Sequence, residues 1–355
     1  MRQGYLVLET GEIWSGIYHG GQECAGEVVF NTSHTGYEEI ATDPSYLNQI
    51  VVMTAPMMGN YGVDGCVWES SRLWIQGFIC LSLQDTPRDR GWKERLTQAG
   101  VPVLSEVDTR SLVLRLRRGG TPWGAIVEGS DEVAARKRAK ELIDRTRTGE
   151  RDWVYQASRK HSEKRTGQNP VGPRGAVLDF GSKENILRNL VNECREIAIF
   201  PSRTPGEEIW QMKPDFLMLT NGPGDPAEVL VAPQTVREFI GRLPIFGICM
   251  GHQILGLALG ARTYRLKFGH RGSNHPIRDS LLHQVYMTSQ NHGYAVDPST
   301  LPAGVEVSHV NLNDQTCAGI VSRKDRFMSV QFHPEACPGP HESSQLFSWF
   351  IREML

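Results

Sequence analysis

The stretch Gly247-Ile248-Cys249-Met250-Gly251-His252-Gln253 constrains the fold more than any other part of the chain. The apolar run Leu243-Pro244-Ile245-Phe246-Gly247-Ile248 leading into it reads as a short buried strand, and Ile254-Leu255-Gly256-Leu257-Ala258-Leu259 continues as an apolar helix. Passing from strand to helix this abruptly needs a tight backbone turn. The glycines two places before and two after Cys249 leave room for one. Such a turn exposes the side chain at its apex and aims the next backbone N–H into the same space. The start of the helix adds partial positive charge, which favours a thiolate. The G-x-C-x-G spacing is the cysteine counterpart of a serine nucleophile elbow. Alone, it fits a buried structural cysteine as well.

A candidate base lies near the C-terminus. Gln331-Phe332-His333-Pro334-Glu335 follows the apolar run Phe327-Met328-Ser329-Val330. In an extended segment, residues two apart point to the same side, so His333 and Glu335 are expected as neighbours, with Pro334 stiffening the link. An isolated H-x-E reads as a surface pair. Coupled to an elbow cysteine it supplies a nucleophile, a base and an acid that orients the base. A third element, Asn221-Gly222-Pro223-Gly224-Asp225-Pro226, ends the apolar run Phe216-Leu217-Met218-Leu219. Two glycines and two prolines make a rigid loop whose N–H groups can donate to an oxyanion. The plainer reading is a βα turn, although open α/β sheets bind ligands at such strand ends.

Together, GICMGHQ, NGPGDP and QFHPEA resemble the class I (triad) glutamine amidotransferases, in that family's order. Asp179-Phe180-Gly181-Ser182-Lys183-Glu184-Asn185-Ile186, the segment 268–276 (FGHRGSNHP) and Ser289-Gln290-Asn291-His292-Gly293-Tyr294-Ala295 are similar to one branch, the glutaminase (small) chain of carbamoyl-phosphate synthase. In the first half, Phe30-Asn31-Thr32, Thr35-Gly36-Tyr37-Glu38-Glu39, Thr42-Asp43-Pro44-Ser45-Tyr46, Gly59-Asn60-Tyr61-Gly62 and Asp108-Thr109-Arg110 resemble that chain's amino-terminal domain. Residues 130–172 are the least distinctive.

Composition sets compatible bounds. A chain of 355 residues suggests two domains, and 39% hydrophobic content is enough for a sizeable core. A net charge of −2 carries no nucleic-acid footprint. No apolar stretch reaches the roughly 18 residues of a membrane span, since His252 and Gln253 interrupt the longest run. Met1-Arg2-Gln3-Gly4 leads straight into a strand-like run with no signal peptide, and seven scattered cysteines suit a reducing, cytoplasmic location. Cys24, Cys66, Cys80, Cys194 and Cys317 read as core or near-surface residues. Cys337, close to Glu335, is a candidate second thiol. No C-x-x-C or H-x-x-x-H pair offers a metal site.

Short β-rich runs dominate the first half, among them Glu27-Val28-Val29-Phe30 and Gln49-Ile50-Val51-Val52-Met53. Helices are expected over 92–99, 112–118 and 131–144, the last with Val133, Ala134, Leu142 and Ile143 as its apolar contacts. The polar segment 158–170 reads as a connection. After it, strands and helices alternate, which argues a doubly wound, mostly parallel sheet. The expected organisation is therefore a β-rich α+β N-terminal domain over 1–155, a linker over 156–172, and an α/β class I glutamine amidotransferase domain over 173–355.

The resemblance implies a site and a chemistry. Cys249, His333 and Glu335 would be catalytic, with oxyanion donors from the Met250 N–H and a glycine of the 222–224 loop. Glutamine would be held by Ser45, Gly222, Gly224, Met250, Gln253, Asn291, Gly293 and Tyr294, with Ser45 the one contribution from the N-terminal domain. The family answer for the ammonia is a large synthetase chain that carries ATP and Mg and makes carbamoyl phosphate, for arginine or pyrimidine synthesis. This chain itself would need no cofactor or metal. Lys183 and Pro338-Gly339-Pro340 would lie near the ammonia exit. A higher oligomer of the heterodimer fits as well. Open alternatives are the glutaminase of another amidotransferase, a stand-alone γ-glutamyl hydrolase, and a non-catalytic scaffold with an incidental cysteine.

Overall fold

The computed structural model of the chain describes residues 2–84, 91–149 and 151–355. They form two compact units, Met1–Glu150 and Arg151–Leu355.

In the first unit seven strands close into a barrel. Their order is Arg2–Leu8, Ile13–Tyr18, Val103–Ser105, Gly77–Ile79, Gln49–Met53, Cys24–Asn31 and Trp123–Glu128, the last pairing back to the first. Val28, Val29, Ile50, Val51 and Val52 are fully buried in adjacent parallel strands. Strands buried on both faces read as unbroken apolar runs, which is why the sequence signals them clearly. The helix Glu132–Arg147 is capped by Asp131, whose carboxylate accepts the Val133 N–H. It packs on Tyr5, Val7, Ala125 and Val127 through Ala135, Ala139, Leu142 and Ile143. Val133 and Ala134, expected on that face, are exposed. The packed stripe begins at Ala135 because Ala135, Ala139 and Leu142 share one side of a 3.6-residue helix. Ser45 sits in a short 3-10 turn, Pro44–Tyr46, where its N–H donates to Asp43 Oδ1 at 2.9 Å.

The second unit is built on a ten-stranded sheet. Its centre is parallel, in the order Glu196–Pro201, Arg174–Asp179, Phe216–Leu219, Ile245–Ile248 and Phe327–Val330. Ile186, Leu187 and Leu190 of the helix Glu184–Glu193 cover one face, together with Phe347 and Phe350 of the helix Gln345–Met354. Ile209, Val236, Ile254 and Leu255 cover the other. Beyond Phe327–Val330 the sheet continues antiparallel through Cys317–Ser322, Glu306–Asn311, Thr263–Asp279 and Gln284–Val296. Parallel order places the carboxyl ends of Arg174–Asp179, Phe216–Leu219, Ile245–Ile248 and Phe327–Val330 along one edge. The loops that follow them carry residues 180–183, 220–224, 249 and 331–337.

The expected linker differs from the observed chain. The units divide between Glu150 and Arg151, not at 155. Within 156–172, Glu163–Thr166 is an edge strand pairing antiparallel with Glu196–Pro201. Polar residues suit an edge strand with solvent on one side, so composition alone reads it as a connector. No helix among the described residues is long and apolar enough to cross a membrane.

Candidate active site

Cys249 stands where the strand Ile245–Ile248 meets the helix Met250–Ala258. Its φ is +53°, a left-handed conformation that costs a non-glycine residue energy and persists only where surroundings enforce it. Here they do. The Cys249 N–H donates to Val330 O at 2.8 Å and the Gly251 N–H to Thr220 O at 2.9 Å, tying the turn to both flanking strand ends. A Cβ on Gly251 would lie 2.2 Å from Leu219 O, and one on Gly247 would lie 2.9 Å from the Gly251 carbonyl. Only glycine permits this approach. Met250 opens the helix directly after Cys249. Gln253, one helical turn on, donates to Tyr294 O at 2.8 Å and to Gln331 Oε1 at 3.1 Å. The Cys249 sulfur is buried and lies 3.6 Å from Asn291 O.

His333 is held on its backbone by an N–H bond to Ser289 O at 2.9 Å. Its Nδ1 lies 2.6 Å from Glu335 Oε1. The segment is a turn rather than the extended strand expected, with Ala336 N–H returning to His333 O at 3.1 Å. The expected neighbours meet across that turn. Both side chains are essentially excluded from solvent (1% and 0%), as is Lys183 at 2%. The Lys183 ammonium lies 3.1 Å from Glu335 Oε1 and donates to Ala336 O. Burial works against a charged Glu335, but Lys183 and His333 outweigh it and hold its pKa at about 2. Burial likewise opposes the imidazolium, yet Glu335 and then Cys249 raise His333 to about 10. With Nδ1 committed to Glu335, Nε2 has no nitrogen or oxygen partner of hydrogen-bond length among the described residues. It is the nitrogen left for the thiol.

The third loop is locked beside these groups. Lys183 N–H donates to Asn221 Oδ1 at 2.9 Å. A Cβ on Gly222 would fall 2.3 Å from Phe180 O, and Gly224 has φ +92°. Gly293 lies opposite Arg271, whose Nη2 would be 3.5 Å from an added Cβ. Direct contacts thus link Cys249, Gln253, Asn291 and Tyr294 on one side and His333, Glu335 and Lys183 on the other, and the Cys249 thiol meets His333 between them. Ser45 belongs to the first unit. The sequence reading missed the pairing of Lys183 with Glu335. Apart in the chain, they carry no shared spacing to reveal it.

Known proteins match along both units. Residues 176–353 match the model of "Glutamine amidotransferase class-I", and residues 6–126 that of "Carbamoyl-phosphate synthase small chain, CPSase domain". A carbamoyl phosphate synthase small chain of Symbiobacterium thermophilum is 43% identical over 356 residues, covering 97% of this chain and 96% of the relative. The chain belongs to the carbamoyl-phosphate synthase small-chain family. The small chain of Methanococcus vannielii is 43% identical, with 97% of this chain and 95% of that one covered. The chloroplastic small chain of Arabidopsis thaliana is 41% identical over 98% of this chain and 85% of its own. As a small-chain family member with a class I amidotransferase domain, the protein is an enzyme chain of the glutamine amidotransferase type.

Proposed function

We propose that this chain is the glutaminase of a glutamine-hydrolysing carbamoyl-phosphate synthase, working through a glutamyl thioester on Cys249. One observation carries the reading: a strained elbow cysteine in the same buried pocket of charge as a histidine whose other nitrogen is held by a carboxylate 2.6 Å away. The chemistry follows from the charges. The Cys249 thiolate attacks the side-chain amide carbon of glutamine, and the Met250 N–H with a glycine N–H of the 222–224 loop meets the oxyanion. The C–N bond breaks as His333 Nε2–H protonates the leaving nitrogen, releasing ammonia and a thioester. Acylation removes the thiolate charge that helped hold the His333 proton, so the imidazole is now neutral and ready to act as base. It takes a proton from water, hydroxide attacks the thioester carbon, and the C–S bond breaks to free glutamate and restore the thiolate–imidazolium pair. Glu335 keeps the ring in register throughout.

Glutamine is held, in this reading, by Ser45, Gly222, Gly224, Met250, Gln253, Asn291, Gly293 and Tyr294. Ammonia passes to a large synthetase chain that binds ATP and Mg, with Lys183 and residues 338–340 near its way out. The test is the complex with that large chain. Cys249→Ala should abolish glutamine-dependent carbamoyl phosphate formation and leave ammonia-dependent formation at the wild-type rate. Glutamine-dependent synthesis surviving in Cys249→Ala would overturn the nucleophile. Failure of ammonia to rescue an intact complex would overturn the division of labour.

A further inference from the structure

The wall of the elbow opposite Cys249 is the strand Gln284–Val296, and its orientation is set by a chain of side chains that none of the chemistry above uses. It begins at Asp314, in the turn between Glu306–Asn311 and Cys317–Ser322. Asp314 Oδ1 accepts from its own turn, from Thr316 N–H at 3.1 Å and Thr316 Oγ1 at 2.8 Å. Oδ2 instead accepts from His270 Nε2 at 2.8 Å. His270 sits opposite His292 in the antiparallel pairing of Thr263–Asp279 with Gln284–Val296, just past a break in register after Arg265. Its Nδ1 lies 3.3 Å from His292 Nε2, with the two rings edge to face at 89°. His292 Nδ1–H then donates to Tyr294 O at 2.7 Å. That carbonyl also receives Gln253 Nε2, and the next residue toward the elbow, Asn291, presents its carbonyl to the Cys249 sulfur.

We propose that Asp314 and His270 are positioning residues for glutamine: they fix the His292 ring, and through it the Tyr294 carbonyl and the 291–294 backbone that forms the substrate wall. This rests on the glutaminase reading. The charges around the cluster are consistent with the role. Burial, then His270, holds His292 well below the usual histidine range, so it stays neutral with its proton on Nδ1, where Tyr294 O accepts it. Arg271, beside it, works in the same direction. Burial, then His270, also lowers His275 to about 4. Burial opposes the charged form of Asp314, but the hydrogen bond from His270 holds it at about 2, so the carboxylate is present at every working pH. Asp314 fixes the Nε2 proton of His270, so His270 Nδ1 is an acceptor, as is His292 Nε2. His270 therefore holds the His292 ring by edge-to-face packing, centroids 4.9 Å apart, and not by a hydrogen bond, while the Gln290 side-chain amide lies 2.8 Å from His292 Nε2.

The distinguishing feature is that Asp314 touches neither Cys249 nor His333. Removing it should therefore loosen glutamine binding and spare the chemical step. In steady-state glutamate release by the full chain in complex with its large partner, Asp314→Ala should raise the glutamine KM about five- to fiftyfold with kcat within about twofold of wild type. Asp314→Asn, which keeps an acceptor for His270 Nε2–H, should recover much of that loss. Thr316→Val removes the Oγ1 contact on the Oδ1 side and should leave KM unchanged. Glutamine affinity measured directly in a Cys249→Ser background should fall by the same factor in Asp314→Ala, with the thermal unfolding midpoint of the variant chain as the check on folding. An unchanged KM in Asp314→Ala, a loss in kcat alone, or an equal effect of Thr316→Val would overturn the proposal. A wild-type complex that released no glutamate would overturn the glutaminase reading instead, and the proposal with it.

Discussion

The elbow and the 331–337 turn place their key side chains by opposite means. Around Cys249 the structure uses backbone shape: a left-handed residue, two glycines with no space for a Cβ, and N–H bonds to Val330 O and Thr220 O. Around His333 it uses buried charge: Lys183, Glu335 and the imidazole stacked in series, each within hydrogen-bond distance of the next. The first arrangement is sensitive to volume and indifferent to charge. The second is the reverse. A strained turn needs only that nothing else fit, whereas a histidine proposed as general base needs its proton placed and its ring nitrogens told apart.

The contrast breaks most sharply on the charged side. Glu335→Gln leaves the Lys183 ammonium buried without its carboxylate and should cost about 3–5 kcal/mol of stability. Adding Lys183→Met should return most of it, which thermal or denaturant unfolding of the single and double variants would show. The pH dependence has a definite sign. Glu335, with a lowered pKa, contributes stability above 4.5 that is lost as pH falls toward about 2. His333, with a raised pKa, contributes stability below 6.5 that is lost as pH rises through about 10. The gap between wild type and Glu335→Gln should therefore be widest between pH 4.5 and 6.5 and shrink on both sides. Strictly additive single and double variants would break the comparison.

On the other side, Gly251→Ala forces a Cβ against Leu219 O and displaces the helix start that carries the Met250 N–H. In the proposed reaction the Met250 N–H is an oxyanion donor, and misplacing one such donor costs about 2.7–4 kcal/mol of barrier, so kcat should fall by about a hundredfold or more with little change in its pH profile. A similar kcat with a shifted profile would mean the elbow works through charge after all. For Glu335→Gln the alkaline limb of kcat/KM should move to lower pH, because the carboxylate that raises His333 is gone. The smallest effect is in labelling. Burial pushes Cys24, Cys80 and Cys194 to about 12 and Cys317 to about 11, and Asp64 raises Cys66. A brief pulse of a glutamine-like electrophile should modify Cys249 first, as peptide mass spectrometry would report; dominant labelling of Cys337 would point to a different nucleophile.

What could be read from the sequence was whatever depends on neighbours in the chain. Gly247 and Gly251 flank Cys249 within five residues, so the elbow was legible, as was the pairing of His333 with Glu335 and the unbroken apolar strands of the parallel centre. The alternation after residue 172 likewise announced a sheet covered on both faces. What depended on distant residues was not legible. Glu163–Thr166 looked like a connector because an edge strand is made by its partner, Glu196–Pro201, and not by its own polar side chains. The 131–144 helix showed several apolar positions, and only the barrel selected Ala135 and Ala139 over Val133 and Ala134. Lys183 reached Glu335, and Asp314 reached His270, across stretches of chain that share no spacing rule. Periodicity and turn chemistry are local and survive in one dimension. The pairing of buried charges and the choice of a packed face are decided by burial itself, which exists only once the chain has folded.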